Sequence, residues 1–127
     1  MSDNNSSMTM FNMDAVIAPR QIQLTVDGNT VAVDADQTPY TIGRDPNSVN
    51  LCVNSEFSSR THCTIKFENR NFSLIDSSTN GTHVRIGANP PIKLQSNATT
   101  LTGSGGFKLG EAIKIGDTNL IQYKVVY

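Results

Sequence analysis

The sequence predicts an all-β domain, and three features of its 127 residues support this. Val, Ile and Thr are abundant, whereas stretches rich in Ala, Leu, Glu and Lys are hard to find, and this favours strands over helices. Short segments alternate apolar and polar residues with a period of two. Gly, Pro, Asn and Asp separate these segments at close intervals, which is typical of a β-sandwich or a β-barrel.

The composition excludes several classes of function. The chain has 10 Lys and Arg against 11 Asp and Glu, and charged residues make up 17%, compared with about 25% in an average globular domain. Its polarity comes instead from 13 Asn, 13 Thr and 12 Ser. Binding to nucleic acid needs clustered Lys and Arg, and a membrane span needs about 18 consecutive apolar residues. The sequence has neither, so we expect no nucleic-acid partner and no membrane partner.

The chain divides into a leader and one domain. Residues 1–19 are polar and aperiodic and predict a flexible leader, and the domain is expected over residues 20–127. The leader lacks a basic region followed by an apolar stretch, so we expect no secretory signal and a cytoplasmic protein. Cys52 and Cys63 are expected to be small, reduced core residues, with a bridge between neighbouring strands as the less favoured alternative.

The strands follow from the alternation of apolar residues. Ile22, Leu24 and Val26 predict the first strand, and Asp27-Gly28-Asn29 predicts a hairpin turn after it. About ten or eleven strands are expected in all. Among the later ones are Val31–Val33, Tyr40–Ile42, Val49–Val53, Cys63–Phe67, Phe72–Ile75, Thr82–Ile86, a strand through Ile113 and Ile115, and a last one from Ile121 to Tyr127.

Three polar loops between predicted strands carry residues suited to a phosphate group. Arg44 and Arg60 have guanidinium groups that bind phosphate oxygens in pairs of hydrogen bonds. Ser59 and Thr79 add hydroxyl groups, and the amide of Asn80 can pair with the backbone of an extended peptide. Because the connecting loops of a sandwich gather at its two ends, we expect these loops to lie together. They are Gly43–Pro46, Ser58–His62 and Asp76–Thr82.

In their order and spacing these residues resemble the forkhead-associated (FHA) domain. The resemblance rests on Gly43-Arg44, on Ser59-Arg60-Thr61-His62, and on Asp76 with Asn80-Gly81-Thr82, and it covers about residues 21–127. Leu109-Gly110-Glu111 followed by Ile113-Lys114-Ile115-Gly116 is similar to the late strands of that family. The resemblance implies an eleven-stranded, SMAD/FHA-like β-sandwich with binding loops at one end. It also implies recognition of phosphothreonine peptides without catalysis, cofactor or metal.

The resemblance further implies a role for each matching residue. Arg44 and Ser59 would contact the phosphate, with Arg60 beside it, while Thr79 would line the pocket and Asn80 would hydrogen-bond to the peptide main chain. The residues expected to support this site structurally are Gly43, His62, Gly81 and Thr82.

The implied partner is a phosphothreonine-containing protein, with a Ser/Thr kinase acting upstream. That partner is either a separate protein or the leader of this chain. In the leader, Thr9 is the candidate phosphothreonine, and Ser2, Ser6 and Ser7 are further candidate phosphorylation sites. The segment Leu101–Gly110 is similar to FHA segments attached to bacterial nucleotide cyclases and related signalling proteins. This likeness implies a regulatory part of a larger protein.

The same sequence allows three other interpretations of its function. Ser59, His62 and Asp76 are the residue types of a hydrolytic triad, but no Gly-x-Ser-x-Gly elbow surrounds the serine. A zinc site would need ligands among Cys52, Cys63, His62 and His83, which lack finger-type spacing. A protein-interaction scaffold that ignores phosphate is the main alternative function on the same sandwich.

Overall fold

The computed structural model describes residues 18–117 and 120–127. Only Ala18 and Pro19 of the predicted leader fall within these ranges, so the rest of the leader lies outside the described residues. Within them no helix is of a length and hydrophobicity that would cross a membrane, and the one short 3-10 helix is Ala35–Gln37. The described strands are β1 (Gln21–Val26), β2 (Asn29–Asp34), β3 (Tyr40–Gly43), β4 (Leu51–Cys52), β5 (Cys63–Glu68), β6 (Asn71–Asp76), β7 (Thr82–Ile86), β8 (Ile92–Leu94), β9 (Ala98–Leu101), β10 (Ser104–Leu109) and β11 (Ile121–Val126).

These eleven described strands form two sheets that enclose one core, which confirms the predicted β-sandwich. One sheet has six strands in the order β2-β1-β11-β10-β7-β8, and the other has five in the order β9-β6-β5-β3-β4. Neighbouring strands are antiparallel except β3 and β4, which pair in parallel.

The core follows from the period-two pattern, because alternate side chains of a strand point to the same face. In β1 this buries Ile22 and Leu24, and in β10 it buries Phe107 and Leu109. The largest buried side chains include Phe72 of β6, whose ring packs edge-on against another ring with 4.9 Å between their centroids. Burying an aromatic side chain of this size contributes about 1.5–3 kcal/mol to folding.

The strand registers bring several loops to one end of the sandwich. Ile42 lies opposite Cys63, and Cys63 lies opposite Asp76. The loop after β3, the loop before β5 and the loop after β6 therefore leave the sheet at the same level. The β10–β11 loop joins them there, since the N–H of Gly110 donates to the carbonyl of Gly81 over 2.9 Å.

One predicted strand is wrong. Residues 113–115 are not a strand, although Ile113 and Ile115 alternate with a polar residue, and Ile115 is fully exposed. The carboxylate of Asp117 accepts the backbone N–H of Lys114 over 2.7 Å, and the N–H of Asp117 donates back to the carbonyl of Lys114. This local turn replaces the extended backbone that the alternation and the family resemblance had both indicated.

The prediction for the cysteines is right for one of them only. Both are free thiols, and Cys63 is fully buried in β5, but Cys52 is exposed at the end of β4. The predicted strand over Val49–Val53 shrinks to the two residues of β4, which is an edge strand. A strand this short at the edge of its sheet leaves the thiol of Cys52 outside the core.

We predict that Phe72→Ala lowers the free energy of unfolding by about 3–5 kcal/mol, because it removes a fully buried ring and leaves a cavity beside Phe67. Urea denaturation followed by circular dichroism measures the change. Thr100→Ala, at an exposed position of β9, is the matched control and should change stability by less than about 0.5 kcal/mol. Equal stabilities of the two variants would contradict the described packing.

Candidate functional site

One buried histidine joins two of the loops at this end of the sandwich. His62 is fully buried just before β5. Its Nδ1 accepts the backbone N–H of Ser59 over 2.9 Å, and its Nε2 lies 2.8 Å from the carbonyl oxygen of Gly81. A carbonyl can only accept, so Nε2 carries the proton and donates it, and the ring is the neutral Nε2–H tautomer. The imidazole thereby fixes the loop before β5 against the loop after β6.

Burial also keeps this ring uncharged. It lowers the pKa of His62, while the carbonyl of Gly81 and the carboxylate of Asp76, 4.0 Å from Nε2, oppose the shift. The net direction is down, because a buried imidazolium loses its hydration. Nδ1 could no longer accept the Ser59 N–H if it were protonated. The connection between the loops therefore depends on the neutral form.

A buried carboxylate organises the loop after β6. Oδ1 of Asp76 accepts the hydroxyl of Ser78 over 2.6 Å and that of Thr82 over 2.8 Å, and Oδ2 accepts the N–H of Ser96 over 2.8 Å. Burial alone would raise the pKa of Asp76, but the hydrogen bonds from Ser78, Ser96 and Thr82 outweigh it and hold the pKa below its usual value. The loop is thus built on an ionised, fully hydrogen-bonded carboxylate.

Two glycines permit close approaches that other residues would block. At Gly43 an added Cβ would overlap the carbonyl oxygen of Arg60 and lie 2.8 Å from its carbon. Gly81 has a φ of +88°, and a Cβ there would come 2.9 Å from the carbonyl oxygen of Leu94. Glycine has no Cβ and adopts positive φ without strain. Both positions therefore require glycine for the loops to meet.

The backbone joins the loop after β3 to the loop before β5. The N–H of Arg44 donates to the carbonyl of Ser59 over 3.0 Å, and the N–H of Asp45 donates to the carbonyl of Arg60 over 3.2 Å. The side chain of Arg44 reinforces this link, since its Nε donates to the carbonyl of Ser58 over 3.0 Å. Its two terminal nitrogens have no hydrogen bond to any described residue, so this exposed guanidinium keeps donors for a ligand.

Ser59 links the second loop to the third. Its Oγ accepts the backbone N–H of Thr79 over 3.2 Å, which leaves the hydroxyl hydrogen to donate elsewhere. Thr79 is exposed, and so is Arg60, whose guanidinium lies near Asp45. Hydrogen bonds from Ser48 and Asn47 lower the pKa of Asp45, and the charges of Arg60 and Arg44 lower it further.

Asn80 lies at the exposed tip of the third loop. Its Nδ2 donates to the carbonyl of Phe57 over 3.1 Å, which orients the carboxamide from below. The second N–H and Oδ1 have no hydrogen bond to a described residue. A carboxamide with one donor and one acceptor available matches the donor and acceptor of an extended peptide backbone.

The structure thus brings the five predicted binding residues to one end of the sandwich, on three loops, with Gly43, His62, Gly81 and Thr82 beneath them. It does not assemble the hydrolytic triad, because the imidazole of His62 bonds to the backbone of Ser59 and to the carbonyl of Gly81. The hydroxyl of Ser59 faces the N–H of Thr79 instead. No group of three metal-ligating side chains occurs within the described residues.

Sequence reasoning missed two contributors to the site. Gln95, after β8, donates from Nε2 to the carbonyls of Ser78 and Thr79 over 3.4 and 3.3 Å. The backbone of Ser96 binds Asp76, as described above. Neither residue belongs to a local motif, and only the tertiary structure brings the β8–β9 connection under the third loop. The polar run Gln95-Ser96-Asn97 was the only signal in the sequence.

Comparison with known proteins agrees with this fold. The FHA domain model matches residues 40–101. The FHA-1 domain of Mycobacterium tuberculosis Rv1747 superposes with a TM-score of 0.65 at 19% identity, covering 87% of this chain and 100% of that one. The FHA domain of Chlamydia trachomatis CT664 gives 0.60 at 23%, covering 84% and 97%. The MEK1 FHA domain in complex with a HOP1 phosphothreonine peptide gives 0.60 at 18%, covering 87% and 97%.

The fold is that of the solved FHA domains. The match over residues 40–101 agrees with the resemblance that the sequence motifs had indicated. No curated protein sequence matches the chain.

We predict that the stability of the domain falls as the pH drops from about 7.5 to 5.5. The pKa of His62 is lowered in the folded state, so below about pH 6.5 the unfolded chain binds a proton that the folded ring excludes. One such group contributes a slope of up to about 1.4 kcal/mol per pH unit. Urea unfolding at a series of pH values measures this slope.

His62→Gln should flatten the slope more than the matched control His83→Gln. Partial burial, Lys93 and Lys108 also lower the pKa of His83, but its ring joins no loops. An unchanged slope in His62→Gln would show that the buried ring does not titrate as described.

Proposed function

We propose that this domain, over residues 20–127, recognises phosphothreonine in extended segments of a partner and thereby makes a protein interaction dependent on phosphorylation. The role is binding, without catalysis. The observation that carries the proposal is the group of available donors on Arg44, Ser59 and Arg60. They lie on two loops that hydrogen bonds of Arg44 and Asp45 join, and His62 fixes the second of these loops against the third.

A phosphate group supplies the negative charge and the hydrogen-bond acceptors that these donors lack. It carries about −1.5 to −2 charges and three acceptor oxygens. The free terminal nitrogens of Arg44 can bind two of those oxygens in parallel, and charge-assisted bonds of this kind are about twice as strong as neutral ones. The hydroxyl of Ser59 adds a donor that is already oriented by the N–H of Thr79. Arg60, one residue along, adds a second positive charge.

The residues of the third loop would bind the peptide rather than its phosphate group. Thr79 lies beside Ser59 and lines the space where the phosphothreonine side chain would enter. The free amide groups of Asn80 can pair with one backbone N–H and one backbone C=O of an extended chain, which fixes its register. An unphosphorylated threonine would leave the donors of Arg44 and Ser59 hydrated, so its affinity should be much lower.

The relatives support this proposal. The MEK1 FHA domain named above is in complex with a phosphothreonine peptide. For this chain the proposed partner is a protein phosphorylated by a Ser/Thr kinase. We place the domain in the cytoplasm, where such kinases use ATP, as a regulatory part of a larger signalling protein.

Arg44→Ala should weaken binding of a phosphothreonine peptide at least about tenfold, because it removes a charge-assisted pair of hydrogen bonds worth about 1.5–3 kcal/mol. Fluorescence anisotropy measures the affinity, and a melting curve checks that the variant is folded. Arg85→Ala is the matched control, since Arg85 is an exposed arginine within β7 and belongs to none of the three loops.

Binding that is unchanged in Arg44→Ala would contradict the proposal. So would binding that survives phosphatase treatment of the partner, which would instead identify the domain as a phosphate-independent scaffold.

We also propose the leader as a ligand, with Thr9 as the phosphorylated residue. About eleven residues separate Thr9 from β1, and they span roughly 36 Å when extended. However, β1 starts at the end of the sandwich away from the loops, and its six residues already cover about 20 Å. Binding to a second copy of the chain therefore requires less extension than binding within one copy.

A peptide of residues 1–17 phosphorylated on Thr9 should displace a bound phosphothreonine ligand, whereas the unphosphorylated peptide should not. A competition experiment by fluorescence anisotropy tests this. If the phosphorylated leader peptide fails to compete while other phosphothreonine peptides do, the leader is not a ligand.

A further inference from the structure

A second cleft opens beside the three loops, at the same end of the sandwich. It has a volume of about 440 Å³ and lies between the segment before β5, the end of β10 and the turn after β1. Val53, Phe57 and Leu120 form part of its apolar wall, and Asp27, Glu56 and Glu111 contribute carboxylates. None of the binding residues proposed above lines it.

The residues that line this cleft carry more negative than positive charge. Asp27, Glu56 and Glu111 make no hydrogen bond and no ion pair with any described residue. Lys108 also lines the cleft, but its Nζ lies 3.0 Å from the carboxylate of Asp117, and both side chains are largely buried. No other Lys or Arg of the described residues lines the cleft. The cleft therefore keeps a net negative charge, which would repel a phosphate.

The cleft is continuous with the proposed peptide site through Phe57. The side chain of Phe57 lines the cleft and is 41% exposed, while its carbonyl accepts the amide of Asn80. The backbone of Phe57 also lies directly against Gly110, where an added Cβ would overlap its carbonyl oxygen. A peptide held by Asn80 thus lies next to a fixed wall of this cleft.

We propose that the cleft binds an arginine or lysine side chain of the same phosphorylated partner, so that the partner is a segment carrying both a phosphothreonine and a nearby basic residue. This inference rests on the proposed function. A long basic side chain matches the lining, because its aliphatic stem can pack on Phe57, Val53 and Leu120 while its charged end meets the carboxylates. The ring of Phe57 adds a favourable face for the cation.

The experiment uses an oriented phosphothreonine peptide library, with each flanking position varied in turn, against the full chain. Arginine and lysine should be enriched at one position or two neighbouring positions. A selected peptide and its Arg→Glu counterpart are then compared by fluorescence anisotropy, and the arginine peptide should bind at least about threefold more tightly.

The variant Glu56→Gln/Glu111→Gln should reduce this difference, because only Asp27 of the three carboxylates remains, without weakening binding of a peptide that has alanine at the same position. Glu68→Gln, exposed at the opposite end of β5, is the matched control and should keep the preference. A library without basic enrichment, or a preference that is undiminished in the double variant, would overturn the inference and leave the proposed function intact. A library in which no phosphothreonine peptide binds would overturn the proposed function, and the inference with it.

Discussion

The candidate site depends on the two hydrogen bonds of the His62 imidazole. One ring, without any charge, accepts from the backbone of Ser59 and donates to the backbone of Gly81. Both partners are main-chain groups, so the ring fixes the path of the loops rather than the position of a single side chain. Since Arg44 is bonded to the carbonyls of Ser58 and Ser59, the loop after β3 is held by the same connection.

The residues beneath the loops and those at their surface differ in charge. Beneath the loops lie a neutral imidazole and the ionised carboxylate of Asp76, which hydrogen bonds satisfy fully. At the surface lie the guanidinium groups of Arg44 and Arg60, whose terminal donors face solvent. The near-zero net charge of the chain led us to expect no long polyanion as a partner. It is compatible with one phosphate, because a single phosphate needs only one or two well-placed arginines.

The sequence predicted the sandwich and the three loops that meet at one end of it, because both depend on local patterns. Alternation with a period of two defined most strands, and Gly43 and Asn80-Gly81 marked the turns. The role of Gln95 could not be predicted, because its contact with the third loop is made only by the tertiary fold. The strand expected at Ile113–Ile115 failed because the side chain of Asp117 closes a turn there, and this hydrogen bond outweighs the preference of isoleucine for strands.

In the proposed function, the three loops, joined by the hydrogen bonds of His62 and Arg44, bind one phosphate and the peptide backbone around it. The most direct measurement is a titration of the ¹⁵N-labelled chain with a phosphothreonine peptide, followed by two-dimensional NMR. We expect the backbone amides of Arg44, Ser59 and Thr79 to shift most with the phosphorylated peptide, and none of them to shift with the unphosphorylated peptide. Shifts confined to the opposite end of the sandwich, or equal shifts with both peptides, would contradict it.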